Sequence, residues 1–200
     1  MKAVILLFII LLASCSQKPE LIIPDAGKDK IFTDAINPIT DRYGLEKLRE
    51  TSLAGDDLEV RVWIEAGAEG IDGFVLKRVD DNWSAAAVKQ IDCRKLNYYP
   101  KDKTYELGKI NLSAPKSGWE NAWQKLVAAR MLDLPYSDYI LTIDESAYAL
   151  ETNINGIYKI RFYGAQEKSP EAVQMSIAGE IIADEFGLHN FKIGSLCLEK

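Results

Sequence analysis

The sequence is poor in the residues from which active sites are most often built. Among its 200 residues it has a single histidine, His189, and three cysteines. The HExxH motif of zinc proteases, the GxSxG motif of serine hydrolases and the Walker-type glycine loop are all missing from it. A zinc site or a catalytic triad needs several converging groups, and a lone histidine is more often structural. We therefore expect no metal ion and no cofactor, and we assign no catalytic residue.

Positive charge is also in short supply. The chain has 24 Lys and Arg against 30 Asp and Glu, so its formal net charge is −6. This balance argues against nucleic acid as a partner, and against a basic face pressed onto anionic lipid. Glycosidase-type chemistry needs only two carboxylates, about 5–10 Å apart, but no pair in the sequence stands out. We expect Glu180, Asp184 and Glu185 to form the solvated face of one helix.

One long apolar run is present, from Ala3 to Leu12, directly after Lys2. It is too short to cross a bilayer and has the length of a signal-peptide core. The tetrad that ends it, Leu12-Ala13-Ser14-Cys15, resembles the lipobox of bacterial lipoproteins. The resemblance covers residues 1–16. It implies that residues 1–14 are a signal peptide and that Cys15, the new N-terminus, carries diacylglycerol and an acyl chain such as palmitate. The alternatives are an ordinary secretory signal with a coincidental cysteine and an uncleaved anchor.

The same resemblance implies where the protein resides. A lipidated Cys15 would attach it to a membrane of the bacterial cell envelope, each buried lipid methylene adding ~0.8 kcal/mol of membrane affinity. Ser16 follows the cysteine, and a residue other than aspartate there usually goes with the outer membrane in diderm bacteria. We therefore expect the domain to face the periplasm or the cell exterior, with its N-terminal lipid as its contact with the membrane.

Lipidation of Cys15 leaves Cys93 and Cys197. An even remainder in an exported protein favours a disulfide between them. Sequence spacing does not show whether their Cα atoms come within bonding range, so two separate thiols that pack as small apolar side chains are the alternative.

The rest of the sequence predicts an α+β fold. Residues 15–40 lack a sustained hydrophobic period and are predicted to be a lipid-anchored tether, with residues 41–200 as a single α+β domain. Residues 58–65 alternate cleanly, as in a half-buried strand, and residues 73–79 and 83–91 flank a turn, as in a hairpin. The order of strands, helix, strands, helix predicts an antiparallel sheet of hairpins with two main helices packed on it.

One hairpin allows a prediction of its register. A three-residue loop of Ile154-Asn155-Gly156 would pair Leu150 with Ile160 and Glu151 with Lys159, which separates apolar from polar side chains. A two-residue loop would mix polarity on both faces. We therefore predict the three-residue loop, with Gly156 in the left-handed conformation.

Two helices have recognisable starts. Ser117 and Glu120 are spaced as a capping box, and Ser169-Pro170 is a typical N-cap followed by proline at the first helical position. Gly187 is predicted to end the second helix. The buried stripe of this second helix is expected to consist of Val173, Ile177, Ala178, Ile181 and Ile182.

Aromatic residues at polar positions are the remaining functional indication. Trp63 falls on the polar face of its strand, and Tyr98 and Tyr99 lie in an irregular stretch among lysines. Exposed aromatic side chains would bind a sugar, a peptide or a protein partner. The alternative is that Trp63 lies beneath a helix or beside another strand, since large aromatics are buried on average.

These observations favour a binding or interaction module for an envelope protein or glycan. The first alternative is a cell-envelope hydrolase that uses paired carboxylates, for which two of them should converge in a cleft and at least one should have a raised pKa. The second alternative is a structural or inhibitory lipoprotein, which would show a large apolar patch and no deep pocket.

Overall fold

The structure confirms the α+β fold with helices packed on an antiparallel sheet. It is a computed structural model, which describes residues 20–27, 29–66, 71–89, 108–136, 146–164 and 168–188. Within these residues one sheet has the strand order β4-β3-β2-β1-β5-β6, and all neighbouring strands are antiparallel. Its strands are β1 (Leu58–Ala66), β2 (Ile71–Val79), β3 (Asn82–Lys89), β4 (Gly108–Asn111), β5 (Ser146–Ile154) and β6 (Ile157–Gly164). The helices are α1 (Lys30–Arg42), α2 (Trp119–Ala128) and α3 (Pro170–Phe186), with 3-10 turns at Leu48–Glu50 and Met131–Asp133.

Hydrophobic cores lie on both faces of the sheet. The first face, with Val60 and Val62 of β1, packs against α2 and α3. The second face, with Trp63 of β1, packs against Ile36 of α1 and Leu48 of the 3-10 turn. As a result Arg61 and Trp63, which point to this second face, are each only 1% exposed. The prediction of a half-buried β1 was wrong, because a second layer covers the face that was expected to meet solvent.

This second layer comes from the segment predicted to be a tether. Most of α1 lies within it, and upstream of α1 the backbone of Ile22 forms a parallel bridge to Ile157. The expectation that folded structure begins near Asp41 was therefore wrong. The helical pattern was hard to see because Pro38 lies inside the helix, and because the buried Thr33 and Thr40 bond through their hydroxyls to backbone carbonyls.

The hairpin of β2 and β3 is confirmed, but the register predicted for β5 and β6 was wrong. Asn155 (φ 54°) and Gly156 (φ 74°) form a two-residue turn in which both residues are left-handed, as in a type I′ Asn-Gly turn. Glu151 therefore lies opposite Ile160 and not opposite Lys159. The polarity argument failed because it assumed that one face of the hairpin was solvated, whereas Glu151 is buried in the second core.

The start and end of α3 follow the prediction. The Ser169 side chain accepts a hydrogen bond from the backbone N–H of Ala172 at 3.2 Å, and Gly187 (φ 68°) ends the helix in the left-handed conformation. The predicted buried stripe was partly wrong, because Val173 and Ile177 are 50% and 44% exposed. The side chains of α3 that are buried are Ala172, Met175, Ala178, Ile182 and Glu185.

The capping box predicted at Ser117 was also wrong. Gly118 is the N-cap of α2, and the Ser117 hydroxyl and backbone N–H both donate to Oε2 of Glu185, each at 2.9 Å. The Lys125 ammonium donates to the other oxygen of Glu185. Glu185, expected on a solvated face, therefore joins α3 to α2. Burial raises the pKa of this carboxyl, but the bonds from Lys125 and Ser117 outweigh burial, so that its pKa lies below the ordinary value of 4.5.

We predict that Glu185→Gln lowers the free energy of unfolding by about 1–2 kcal/mol at pH 7, because it removes charge-assisted hydrogen bonds whose lysine is half exposed. Since the folded pKa lies below the unfolded one, the stabilisation is present above pH 4.5 and is lost as the pH falls through the folded pKa. Denaturant unfolding of variant and parent across this pH range tests the prediction. Asp184→Asn, in the exposed pair with Lys116, is the control and should cost about 0–1 kcal/mol. A Glu185→Gln deficit independent of pH would contradict the assignment.

None of the helices found in the described parts of the chain is both long and apolar enough to cross a membrane.

Candidate ligand-binding site

A cavity of about 290 Å³ lies on the second face of the sheet. The strand register places Arg61, Val75, Ala86 and Asn111 in one row across β1, β2, β3 and β4. The two middle strands carry small apolar side chains in this row, whereas the outer two carry larger polar ones. The cavity lies over the small side chains of Val75 and Ala86.

The cavity has a buried floor and an exposed polar rim. Glu59, Arg61, Val75 and Ala86 line it and are buried. The rim side chains are polar and reach solvent. They are Glu46, Lys77, Ser84, Lys109 and Asn111.

Arg61 organises the charged part of the floor. Its Nε donates to Oε1 of Glu59 at 2.7 Å and its Nη2 lies 2.6 Å from the same oxygen. Nη2 also donates to the backbone carbonyl of Glu46 at 2.7 Å, which ties the loop before the 3-10 turn to β1. The Lys77 ammonium lies 3.1 Å from Oε2 of Glu59, so both oxygens of Glu59 are paired with cations.

Glu151 of β5 lies directly across from Arg61 and completes the network. Nη1 of Arg61 is 3.7 Å from its Oε2 and has no hydrogen bond among the described residues. The indole N–H of Trp63 donates to the same oxygen at 3.2 Å, and the Tyr158 hydroxyl donates to Oε1 at 3.0 Å. Burial raises the pKa of Glu151, while the charge of Arg61 and these two hydrogen bonds oppose the rise. Burial also raises the pKa of Tyr158, which keeps its hydroxyl a donor.

The cavity does not include Trp63, the one described residue among the aromatic candidates chosen from the sequence. Trp63 is buried in the core on the second face of the sheet and its indole N–H is bonded to Glu151, so of the two alternatives the buried one holds and Trp63 offers no exposed binding surface. Tyr98 and Tyr99 lie outside the described residues, so a binding role for them stays a prediction. The three cysteines and the histidine also lie outside the described residues, so lipidation and a disulfide stay predictions. These residues are Cys15, Cys93, Cys197 and His189.

One feature of the sequence points to the cavity that the structure contains. Glu59 and Arg61 alternate with apolar residues, and such charges in a central strand would need partners from neighbouring strands. The contribution of Lys109 and Asn111 could not be anticipated, because it depends on β4 pairing with β3.

The arrangement fits binding better than acid–base catalysis. Glu151 has the raised pKa expected of a general acid but does not line the cavity. Glu59 lines the cavity, but both of its oxygens are already paired. A paired-carboxylate hydrolase needs two carboxylates that converge in a cleft, at least one of them with a raised pKa, and Glu59 and Glu151 do not meet this condition. Across the described segments, histidine, cysteine and carboxylate side chains form no group of three that could hold a metal ion.

Comparison with known families and with curated sequences transfers no function to the chain. No model of a known protein family matches the chain, and no curated protein sequence matches it. The functional argument therefore rests on the residues of this chain and on their geometry.

Proposed function

We propose that the protein is a bacterial envelope lipoprotein, attached to the membrane through lipid on Cys15, whose domain binds a small polar ligand in the cavity between β1 and β4. The observation that carries the binding role is the cavity itself, with a charged floor and an exposed polar rim. The proposed membrane attachment is supported separately by the resemblance of residues 12–15 to a lipobox.

The geometry supports binding in two ways. The volume of about 290 Å³ is close to the lower end of the range of small-molecule sites, which is roughly 300–1,000 Å³. The floor is also fixed before any ligand arrives, because Arg61 is held by Glu59 and by the backbone of Glu46. A site with little side-chain freedom left to lose binds its ligand at a lower entropic cost.

We predict that Cys15→Ala abolishes lipid attachment. Mature parent protein, purified from the membrane of a bacterial host, should begin at Cys15 and carry acyl mass. The variant should carry no acyl mass, because alanine offers no thiol to acylate. Intact-mass spectrometry of membrane and soluble fractions measures both effects. Cys93→Ala is the matched control and should keep its acyl mass. A parent protein whose Cys15 is unmodified would refute the proposed membrane attachment, but it would not affect the proposal that the cavity binds a ligand.

A further inference from the structure

We infer that the ligand of the cavity is a small organic anion, whose carboxylate or phosphate lies on the β4 side of the rim, near Lys109 and Asn111. This inference rests on the proposed binding function and adds the chemistry of the ligand. It depends on three features of the cavity, which are the donors that the protein leaves unused, the paired state of the floor carboxylate and the distribution of charge around the rim.

The rim offers hydrogen-bond donors that the fold does not use. Within the described part of the chain, the side chains of Ser84, Lys109 and Asn111 are engaged in no hydrogen bond or ion pair. The Lys77 ammonium forms an ion pair with Glu59 at 3.1 Å and its side chain is one-third exposed. Lys109 and Asn111 lie two residues apart on β4 and so on the same face of the strand, where their ammonium and amide groups match the acceptor oxygens of a carboxylate or a phosphate.

The floor carboxylate does not make the cavity a cation site. Each oxygen of Glu59 is already paired, one with Arg61 and the other with Lys77. A cationic ligand would have to compete with Arg61 or Lys77 for an oxygen of Glu59. An anion at the rim leaves both pairs intact.

Positive and negative side chains lie on opposite sides of the rim, and this charge distribution would orient the bound ligand. Lys109 and Asn111 lie on β4 at one side, whereas Glu46 lies in the loop that Arg61 binds at the other. An anionic group therefore belongs on the β4 side, and hydroxyl or amine donors of the ligand face Glu46. The net charge of −6 gives the chain no general attraction for anions, so an anion bound here must be held by these local groups.

Matched probes test the inference. N-acetylmuramic acid and N-acetylglucosamine differ by a lactyl ether that bears a carboxylate, and glucose 6-phosphate and glucose differ by a phosphate. Each is titrated into the isotope-labelled lipoprotein in detergent micelles, and the backbone amide shifts of Ser84, Lys109 and Asn111 are followed by NMR. We expect the anion of at least one pair to bind about tenfold or more tightly than its neutral counterpart. The pair that shows the difference identifies a carboxylate or a phosphate as the recognised group.

Variants link the binding to the cavity. Lys109→Gln, at an exposed position, should weaken the anion by about tenfold and leave the neutral probe unchanged. Lys168→Gln, an exposed lysine outside the cavity, is the control and should change neither. Ala86→Phe should fill the floor and abolish binding of every probe.

The outcomes separate the two proposals. Neutral probes that bind the cavity as tightly as their anions, with no effect of Lys109→Gln, would overturn the anion inference and leave the binding function standing. If no probe of either charge shifts these amides at millimolar concentration while the protein stays folded, the proposed binding function fails together with the inference.

Discussion

Gly73→Ala is expected to destabilise the protein by about 3 kcal/mol, through overpacking in the second core. A Cβ atom at Gly73 would lie 2.5 Å from both Cε3 and Cζ3 of Trp63, well inside van der Waals contact. The indole has little room to move, because Trp63 is 1% exposed and its N–H is bonded to Glu151. Since Gly73 lies directly opposite Trp63 in the β1–β2 register, the missing side chain of one residue provides the space for the ring of the other.

Gly179→Ala is the matched control, because a Cβ atom at this helical position would meet no atom of the described residues within 4 Å apart from its chain neighbours and the backbone of its own helix. It should stabilise α3 by about 0.5–1 kcal/mol, since alanine is a better helix former than glycine. Denaturant unfolding of both variants and the parent measures the two effects. A Gly73→Ala variant as stable as the parent would show that the indole of Trp63 does not lie over Gly73.

Arg61→Met should cost about 3–5 kcal/mol at pH 7, the largest effect that we expect from a single polar residue. Arg61 is the cation between two buried carboxylates, those of Glu59 and Glu151. Methionine has similar length but no charge, so Glu151 would lose its only cation among the described residues and Glu59 would keep only Lys77. Arg130→Met, in the exposed pair with Asp133, is the control and should cost less than about 1 kcal/mol.

The pH dependence of the Arg61→Met variant gives a second check. Burial already raises the pKa of Glu151 above its ordinary value of 4.5, and loss of the neighbouring cation raises it further. When the folded pKa exceeds the unfolded one, the folded state binds more protons, so stability falls as the pH rises from 4.5 through the folded pKa. The deficit of the variant should therefore shrink towards acidic pH. Circular dichroism unfolding curves at several pH values test this, and a deficit that grows on acidification would contradict the proposed role of Arg61.

Local signals in the sequence predicted most of the elements correctly. The turn at Asp80-Asp81, the N-cap at Ser169 and the apolar alternation of β1 each depend on residues close together in the chain. Hairpins and amphipathic helices in this order were enough to predict the α+β fold.

The main errors have one common origin, which is the missed helix α1. Without α1 the second face of the sheet was taken to meet solvent, so β1 was predicted to be half buried and Trp63 was kept as a candidate binding residue beside the alternative that it is buried. The same assumption led to the wrong register of the hairpin that contains Glu151. Each of these errors concerns which surface of a strand is covered, and that depends on contacts between distant parts of the chain.

The candidate cavity could not be predicted from the sequence, because it also depends on contacts between distant parts of the chain. Its wall and floor come from four strands and a loop, and the residues that shape it most, Val75 and Ala86, are small and carry no chemical signal. A depression of this kind is defined by which short side chains are aligned across strands. The sequence shows the side chains but not their alignment.

The backbone bridge between Ile22 and Ile157 limits how far the domain can stand from a membrane. Ile22 donates to the carbonyl of Gly156 and accepts from the N–H of Tyr158, each at 2.8 Å, so this point of the chain is attached to the edge of the sheet. Ile22 is seven positions along the chain from Cys15, and a fully extended chain spans at most about 25 Å over this length. With Cys15 lipidated as proposed, the edge of the sheet at Ile22 would stay within this distance of the membrane surface. The domain would then reach only partners in the layer of the envelope next to its own membrane.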